Sequence, residues 1–179
     1  MSEKTSYGSF DKFLHWFMAI NIIATLIFSK GMSELSAENK VIEYGDHGLS
    51  VTTILLFLIV RILWRARVGF PRLPNNMSAL QIVAAKLMHY GFYILLVMQV
   101  TVGILLASTT QYDFIANGYG INYSSFDLVS KDMYKTLLLA HIVLYWGIIA
   151  MLVVHIAAAL KHHFIDKDSV LTRMLPWRK

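Results

Sequence analysis

The sequence of 179 residues contains no cysteine. This absence excludes disulfides, zinc sites built from thiolates, iron–sulfur clusters and haem attached covalently through a C-x-x-C-H motif. Any cofactor must therefore be held by other side chains. Charge is also scarce, because Asp, Glu, Lys and Arg make up only 15% of the chain whereas 56% of the residues are hydrophobic. This composition excludes an ordinary soluble domain and indicates a membrane protein.

Four apolar runs have about the length that a helix needs to cross a bilayer. None of these runs contains Asp, Glu or Lys, and the first lacks a signal-peptide cleavage motif, so we expect it to remain as a span. The sequence therefore predicts an all-α, four-helix transmembrane bundle that forms one domain over residues 1–179. The predicted spans are residues 13–29, 48–64, 87–108 and 136–160.

The connections between the spans differ in the sign of their charge. The first connection has a net charge of −2 and the third −1, whereas the second, with Arg61 included, has +5 and the C-terminal tail +3. By the positive-inside rule, both termini and the second connection are expected to be cytoplasmic. The sequence pI of about 9.4 then reflects topology and attraction to anionic lipid headgroups, and it needs no nucleic-acid partner.

The segments outside the spans are less regular. Pro71 and Pro74 predict a turn in the second connection, and residues 109–135, rich in Tyr, Asn and Ser, are expected to be irregular. A short interfacial helix is predicted at about 169–175, with Asp168 or Ser169 as its cap.

The fourth span contains two histidines, His141 and His155, which are 14 residues apart. In an α-helix this interval leaves the two side chains only about 40° apart in angle, with a rise of about 21 Å between them. An ionisable residue inside a membrane is costly and normally faces the bundle interior. Two histidines on one face therefore predict two sites, one in each leaflet.

Each of these sites needs a partner at a matching depth. The first span enters from the cytoplasm, so His15 is at the depth of His155. The second span starts on the outside, so His47 is at the depth of His141. The predicted topology therefore pairs His15 with His155 and His47 with His141.

Histidine pairs between helices favour haem over zinc. Zinc normally takes four ligands, often with thiolate or carboxylate among them, whereas haem iron needs two axial ligands and its apolar ring fills a bundle core. Gly48 and Gly147 are small enough to leave room for such a ring. Two alternatives remain open: the histidines hydrogen-bond neighbouring helices, or they belong to a transporter of metal ions that carries no haem.

Several motifs resemble the bacterial cytochrome b561 family. They are "LHW" in the first span, "DHG" before the second and, above all, the ending "AAALKHHFIDKDSVLTRMLP". The resemblance implies an inner-membrane protein with two haem b groups, electron exchange with ubiquinone and, in some members, oxidation of periplasmic superoxide. It also implies four axial ligands, which are His15, His47, His141 and His155.

Three more residues are candidates for cofactor binding. His89 is at the depth of the inner pair, so it is a rival ligand there or a group that faces quinone. His162 continues the histidine face of the fourth span toward the cytoplasm, where it is placed to hydrogen-bond a quinone and to supply a proton. Arg61 is 14 residues after His47 and is predicted to pair with a haem propionate. Arg65 and Arg67 are expected to be anchors at the headgroups.

Together with the histidine pairs, the resemblance implies a b-type electron carrier, an oxidoreductase of the bacterial inner membrane. It would move electrons between a periplasmic donor, superoxide or a redox partner protein, and ubiquinone. The alternative function is that of the cytochrome b subunit of a separate membrane dehydrogenase or hydrogenase. No residue is predicted to be catalytic by itself, and membrane lipid and quinone are the other expected partners.

Overall fold

The computed structural model of the protein describes residues 6–73 and 77–176. It has four long helices, a two-stranded antiparallel sheet and four short 3-10 helices. The long helices are α1 Ser9–Phe28, α2 Ala37–Val68, α3 Ala79–Thr109 and α4 Tyr134–Phe164; the strands are β1 Ile115–Ala116 and β2 Ile121–Asn122. The 3-10 helices are Met32–Glu34, Tyr123–Phe126, Lys131–Met133 and Thr172–Met174.

All four long helices are long and apolar enough to cross a membrane. The predicted all-α fold with four spans is therefore confirmed, although all four helices are longer than the apolar runs that predict them. The added turns have local causes. Ser36 and Ser78 accept hydrogen bonds from the backbone N–H groups of Asn39 and Gln81, which caps α2 and α3 at their N-termini. Pro74, part of the predicted turn, and Arg178 and Lys179, which contribute to the charge of the C-terminal tail, lie outside the described residues.

The centre of the bundle is a small apolar core to which each helix contributes one buried side chain. These are Met18, Leu58, Leu96 and Ile148. Few other large apolar side chains on the helices are buried, and the rest are partly or largely exposed. This distribution is expected of helices whose outer surface meets lipid, because lipid tails are as apolar as the side chains themselves.

The two ends of the bundle differ, and we name them by what they carry. The hairpin end has the α1–α2 and α3–α4 connections, and the terminal end has both chain termini and the α2–α3 connection. At the hairpin end, the β1–β2 hairpin folds against α2: the Asn117 N–H donates to the carbonyl of Gly45 at 3.0 Å, and the Asn117 side chain donates to Asp46 at 2.8 Å. The buried hydroxyls of Thr52 and Tyr123 are hydrogen-bonded at 2.9 Å. Residues 109–135, expected to be irregular, are thus an ordered cover.

The terminal end contains a buried ion pair between α1 and α2. Arg65 Nη2 is 2.7 Å from Asp11 Oδ1, and the two side chains are only 5% and 6% exposed. The Trp64 indole also donates to Asp11 at 2.7 Å, and the N–H of Gly8 donates to its other oxygen. The expectation that Arg65 anchors the helix at the headgroups is wrong, because this carboxylate draws it into the protein. Arg67 is exposed.

The C-terminal segment docks on the same end of the bundle. The Trp16 indole donates to the carbonyl of Met174 at 2.8 Å, and Arg173 donates to the carbonyl of Arg72 at 2.8 Å. Where the sequence predicts a helix at about 169–175, the structure has a 3-10 helix of three residues, Thr172–Met174, after Asp168 Oδ1 accepts from the N–H of Val170. These contacts bring the tail beside α1.

We expect the Asp11–Arg65 pair to be important for stability. Asp11→Asn leaves the Arg65 guanidinium buried without a counter-charge, and breaking a buried ion pair on one side costs about 3 kcal/mol or more. In detergent solution, the midpoint of thermal unfolding should fall by about 6 °C or more. Arg67→Met, which changes an exposed arginine two residues after Arg65, is the control and should leave the midpoint unchanged. Equal midpoints for Asp11→Asn and the wild type would contradict the assignment.

Candidate functional site

The first histidine pair lies toward the terminal end of the bundle. His15 on α1 faces His155 on α4, with 6.2 Å between the ring centres and 58° between the ring planes. The Trp16 ring contacts His15 at 5.5 Å, and the Phe92 ring of α3 meets His155 edge-on at 5.4 Å. Three helices therefore enclose this pair.

The second pair lies toward the hairpin end. His47 on α2 faces His141 on α4, with 6.5 Å between ring centres and 78° between ring planes. Phe114, which directly precedes β1, packs edge-on against His47 at 6.2 Å. The cover at the hairpin end thus lies directly against this pair.

The separation of the rings within each pair fits a shared metal ion. Metal–imidazole bonds are about 2 Å long, so two rings on opposite sides of one ion have centres about 6 Å apart. Both pairs have this separation. It is too long for a direct hydrogen bond between the two rings. The alternative that the histidines hydrogen-bond neighbouring helices holds, among the described residues, for His141, which contacts a side chain of α3.

A cavity of about 420 Å³ surrounds the hairpin-end pair. All four helices contribute to its walls, which are mostly aliphatic and aromatic, and both His47 and His141 line it. Lys30 and Glu34 of the α1–α2 connection line it as well. An apolar cavity with two facing imidazoles has the chemistry that a haem group requires, so the residues present fit this cofactor.

Of the two glycines expected to leave room for a haem ring, Gly48 has a different role in the structure. A Cβ on Gly48 would lie 2.7 Å from the Cα of Ala116, so Gly48 makes room for the hairpin and not for a cofactor ring. Gly147 has open space beside it. Gly103 on α3 was not predicted, yet a Cβ there would lie 3.1 Å from Cε1 of His141. The close approach of α3 to this histidine therefore depends on Gly103.

Gln99 is a second residue of the hairpin-end site that the sequence analysis missed. Its Nε2 is 3.1 Å from Nε2 of His141. A signal for it exists in the sequence, because Gln99 is the one amide in the apolar run "GFYILLVMQVTVGILLAS".

Arg61 and His89 are both near the terminal end but do not contact each other in the described part of the chain. Nε of Arg61 donates to the hydroxyl of Tyr93 at 3.3 Å. The His89 ring stacks on Phe70, with 5.3 Å between centres and 9° between planes. His15, not His89, is therefore the ring that faces His155.

His162 belongs to a polar cluster at the end of α4. Its Nδ1 is 2.6 Å from Oδ2 of Asp168 and 3.3 Å from Oδ2 of Asp166. Lys161 is hydrogen-bonded to both oxygens of Asp166, and this hydrogen bond lowers the pKa of the Asp166 carboxyl below its ordinary value. The sequence analysis did not assign these two carboxylates to His162, although both follow it within six residues.

Comparison with known proteins adds an independent finding. The family model described as prokaryotic cytochrome b561 matches residues 6–177 of the chain. Two relatives from Escherichia coli (strain K12) match over nearly their whole length. Cytochrome b561 homolog 2 is 28% identical over 172 residues, which are 94% of this chain and 90% of that protein. Cytochrome b561 homolog 1 is 29% identical over 175 residues, which are 93% of this chain and 95% of that protein.

A third relative has a name that states an activity. The probable superoxide oxidase CybB of Yersinia pestis is 27% identical over 126 residues, which are 70% of each chain. The family match covers all of the described residues, including both histidine pairs. The chain therefore belongs to the prokaryotic cytochrome b561 family, and it is a multi-pass membrane cytochrome of b type that works in electron transfer.

Proposed function

We propose that the protein carries two haem b groups and moves electrons across the bacterial inner membrane, from a periplasmic donor to ubiquinone. The observation that supports this proposal most directly is the pair of facing imidazoles at each of two depths, with 6.2 Å and 6.5 Å between ring centres. A single histidine pair would hold one haem, at one depth in the membrane. Two pairs that share α4 define a route from one side of the membrane to the other.

The orientation in the membrane follows from charge. The connections at the hairpin end are acidic overall, whereas the segments at the terminal end are strongly basic. The positive-inside rule therefore places the terminal end in the cytoplasm and the hairpin end in the periplasm. In this orientation His47 and His141 are near the outside, and His15 and His155 are near the cytoplasm.

The four histidines would hold the haem groups, His15 with His155 and His47 with His141. A haem with an imidazole on each side exchanges single electrons and has no open position at which a substrate can bind. The protein's own part is to orient the rings, to keep water away and to neutralise charge. Arg61 is the candidate for neutralising a propionate of the inner haem. It lies near the terminal-end pair, and among the described residues its side chain hydrogen-bonds to the Tyr93 hydroxyl and not to a carboxylate.

The quinone site is assigned to the cytoplasmic end of α4. Asp168 binds Nδ1 of His162, so Nε2 is the nitrogen that remains to hydrogen-bond a quinone oxygen. Fixing one nitrogen of an imidazole in this way also fixes its orientation. His89 is the second candidate, since its ring is held against Phe70 on the same end of the bundle.

Superoxide is the proposed donor. Two superoxide anions lose one electron each and become dioxygen, and one ubiquinone takes up these two electrons and two protons to become ubiquinol. The relative from Yersinia pestis supports this donor. So does Lys30, a cation in the wall of the outer cavity that would attract the anion.

A second function has one observation in its favour. The two connections at the hairpin end carry −3 together, and a negative surface repels superoxide. A cytochrome b subunit that receives electrons from a separate membrane dehydrogenase or hydrogenase would not need to attract this anion. The two functions differ in the donor and share the haem and quinone sites.

Removal of one histidine should remove one haem. His47→Ala and His15→Ala are each expected to keep one haem per chain, and a redox titration should show that the two variants have lost different haems. His163→Ala is the control and should keep both. Loss of the inner haem in His89→Ala, with retention in His15→Ala, would show that the ligand assignment is wrong.

The quinone assignment predicts a difference between neighbouring histidines. In His162→Leu, oxidation of the reduced protein by a short-chain ubiquinone should slow by about 10- to 100-fold, because the hydrogen bond and the proton source are lost. The matched control is His163→Leu, whose ring packs on Phe164 and should not affect the rate. Equal rates in the two variants would place the quinone elsewhere.

Stopped-flow mixing of the oxidised protein with superoxide tests the donor. We expect rapid haem reduction that slows with added salt, and a rate constant about tenfold lower in Lys30→Gln, because attraction of an anion to a cation is screened by salt. Lys135→Gln, at an exposed lysine of the same end, is the control. Haem that superoxide leaves oxidised would instead favour the subunit of a dehydrogenase.

A further inference from the structure

Gln99 is a polar side chain in a segment where polarity is costly. It lies near the middle of α3, the helix Ala79–Thr109, and its neighbours on both sides are apolar. Burying an amide away from water without a hydrogen-bond partner destabilises the folded state. A glutamine at this depth therefore needs a specific partner within the bundle.

His141 is this partner. Nε2 of Gln99 is 3.1 Å from Nε2 of His141, and the approach of α3 that makes the contact depends on Gly103, one turn further along the helix. Gln99, Gly103 and His141 all line the cavity at the hairpin end.

Two polar atoms of the same residues have no partner. Oε1 of Gln99 and Nδ1 of His141 are both buried, and neither forms a hydrogen bond within the described chain. One is an acceptor and the other is a donor when it carries the proton. Buried polar groups in native proteins nearly always have partners, so a free acceptor and a free donor on two touching side chains point to an interaction that a different ring orientation completes.

A haem ligand requires that orientation. A histidine that binds a metal through Nε2 carries its proton on Nδ1 and almost always donates it to a neighbouring oxygen. We propose that Gln99 is a positioning residue for His141: when Nε2 of His141 faces the iron, Nδ1–H donates to Oε1 of Gln99. In the structure Gln99 contacts Nε2 of His141, so the proposed bond requires rotation of the His141 side chain, which turns Nδ1 toward Gln99, and a half-turn of the Gln99 amide, which exchanges Oε1 with Nε2. This inference rests on the proposed function, since it assumes a haem between His47 and His141.

The hydrogen bond makes the two haem sites unequal. Among the described residues, His141 is the one of the four paired histidines that has a side-chain hydrogen bond. An acceptor on Nδ1–H makes the imidazole a stronger donor to iron and stabilises the oxidised state, which lowers the reduction potential. Gln99 therefore lowers the potential of the outer haem relative to the inner one. This difference favours electron flow toward the cytoplasmic side.

Replacement of Gln99 tests the inference through potentials and not through activity. Gln99→Met keeps the length of the side chain and removes the acceptor. We expect the oxidised-to-reduced ratio of the outer haem at a fixed potential to fall about tenfold, which is a rise of about 59 mV in midpoint potential for a one-electron couple. The inner haem should not change. The titration of His47→Ala, which lacks the outer haem, assigns the two steps.

Two further variants complete the design. Gln99→Glu keeps an acceptor oxygen, so the reduction potential of the outer haem should fall or stay at the wild-type value. If Gln99→Met does not bind the outer haem, this variant tests the role of Gln99 in its place. Thr101→Val, an isosteric change at an exposed position of α3, is the control and should shift neither potential. The ferric EPR signal of the outer haem should change in Gln99→Met and not in Thr101→Val.

The possible failures can be distinguished. A wild-type protein that contains fewer than two haems would overturn the proposed function, and this inference with it. The role of Gln99 alone would be overturned by any of three results in a protein with two haems. These are unchanged potentials in Gln99→Met, equal shifts of both haem potentials in that variant, and a raised potential of the outer haem in Gln99→Glu. Loss of only the outer haem in Gln99→Met would support that role.

Discussion

An imidazole in the hydrocarbon core of a bilayer needs a partner, and the architecture of this protein depends on that need. α4 carries two such groups on nearly one face, and α1 and α2 each supply one opposite. In each pair the distance between ring centres is about that expected for two imidazoles bound on opposite sides of one metal ion. The helices must therefore hold two sites at fixed separations, and the small apolar core between the sites keeps them there.

The two ends of the bundle protect their sites by different means. At the hairpin end, Phe114 and Tyr123 close over the His47–His141 pair. Hydrogen bonds of Asn117 and Tyr123 with residues of α2 hold this cover in place. At the terminal end, the Asp11–Arg65 ion pair joins α1 to α2, and Trp16 binds the C-terminal segment. Both ends therefore shield a histidine pair, the hairpin end with a hydrogen-bonded cover and the terminal end with an ion pair and the docked C-terminal segment.

Much of the fold was predictable because the hydrocarbon core of a bilayer restricts the length and the polarity of any helix that crosses it. Apolar runs predict the four spans, and the 14-residue interval between His141 and His155 predicts two depths. The depth argument also pairs each histidine with the partner that it faces in the structure. The role of Arg65 was predicted wrongly, because a basic residue at the end of a span is normally an anchor and nothing in the local sequence shows that Asp11 lies beside it.

The sequence by itself determined the number of spans, the depth of each histidine and the sign of charge on each side, because hydropathy, helical rise and charge are local properties of the chain. Only the tertiary structure decided which side chains touch. The fit of Gly48 to Ala116, the approach of Gln99 to His141 and the ordered hairpin over His47 depend on the distances between helices. Those distances come from the packing of residues far apart in the sequence, which no local pattern records.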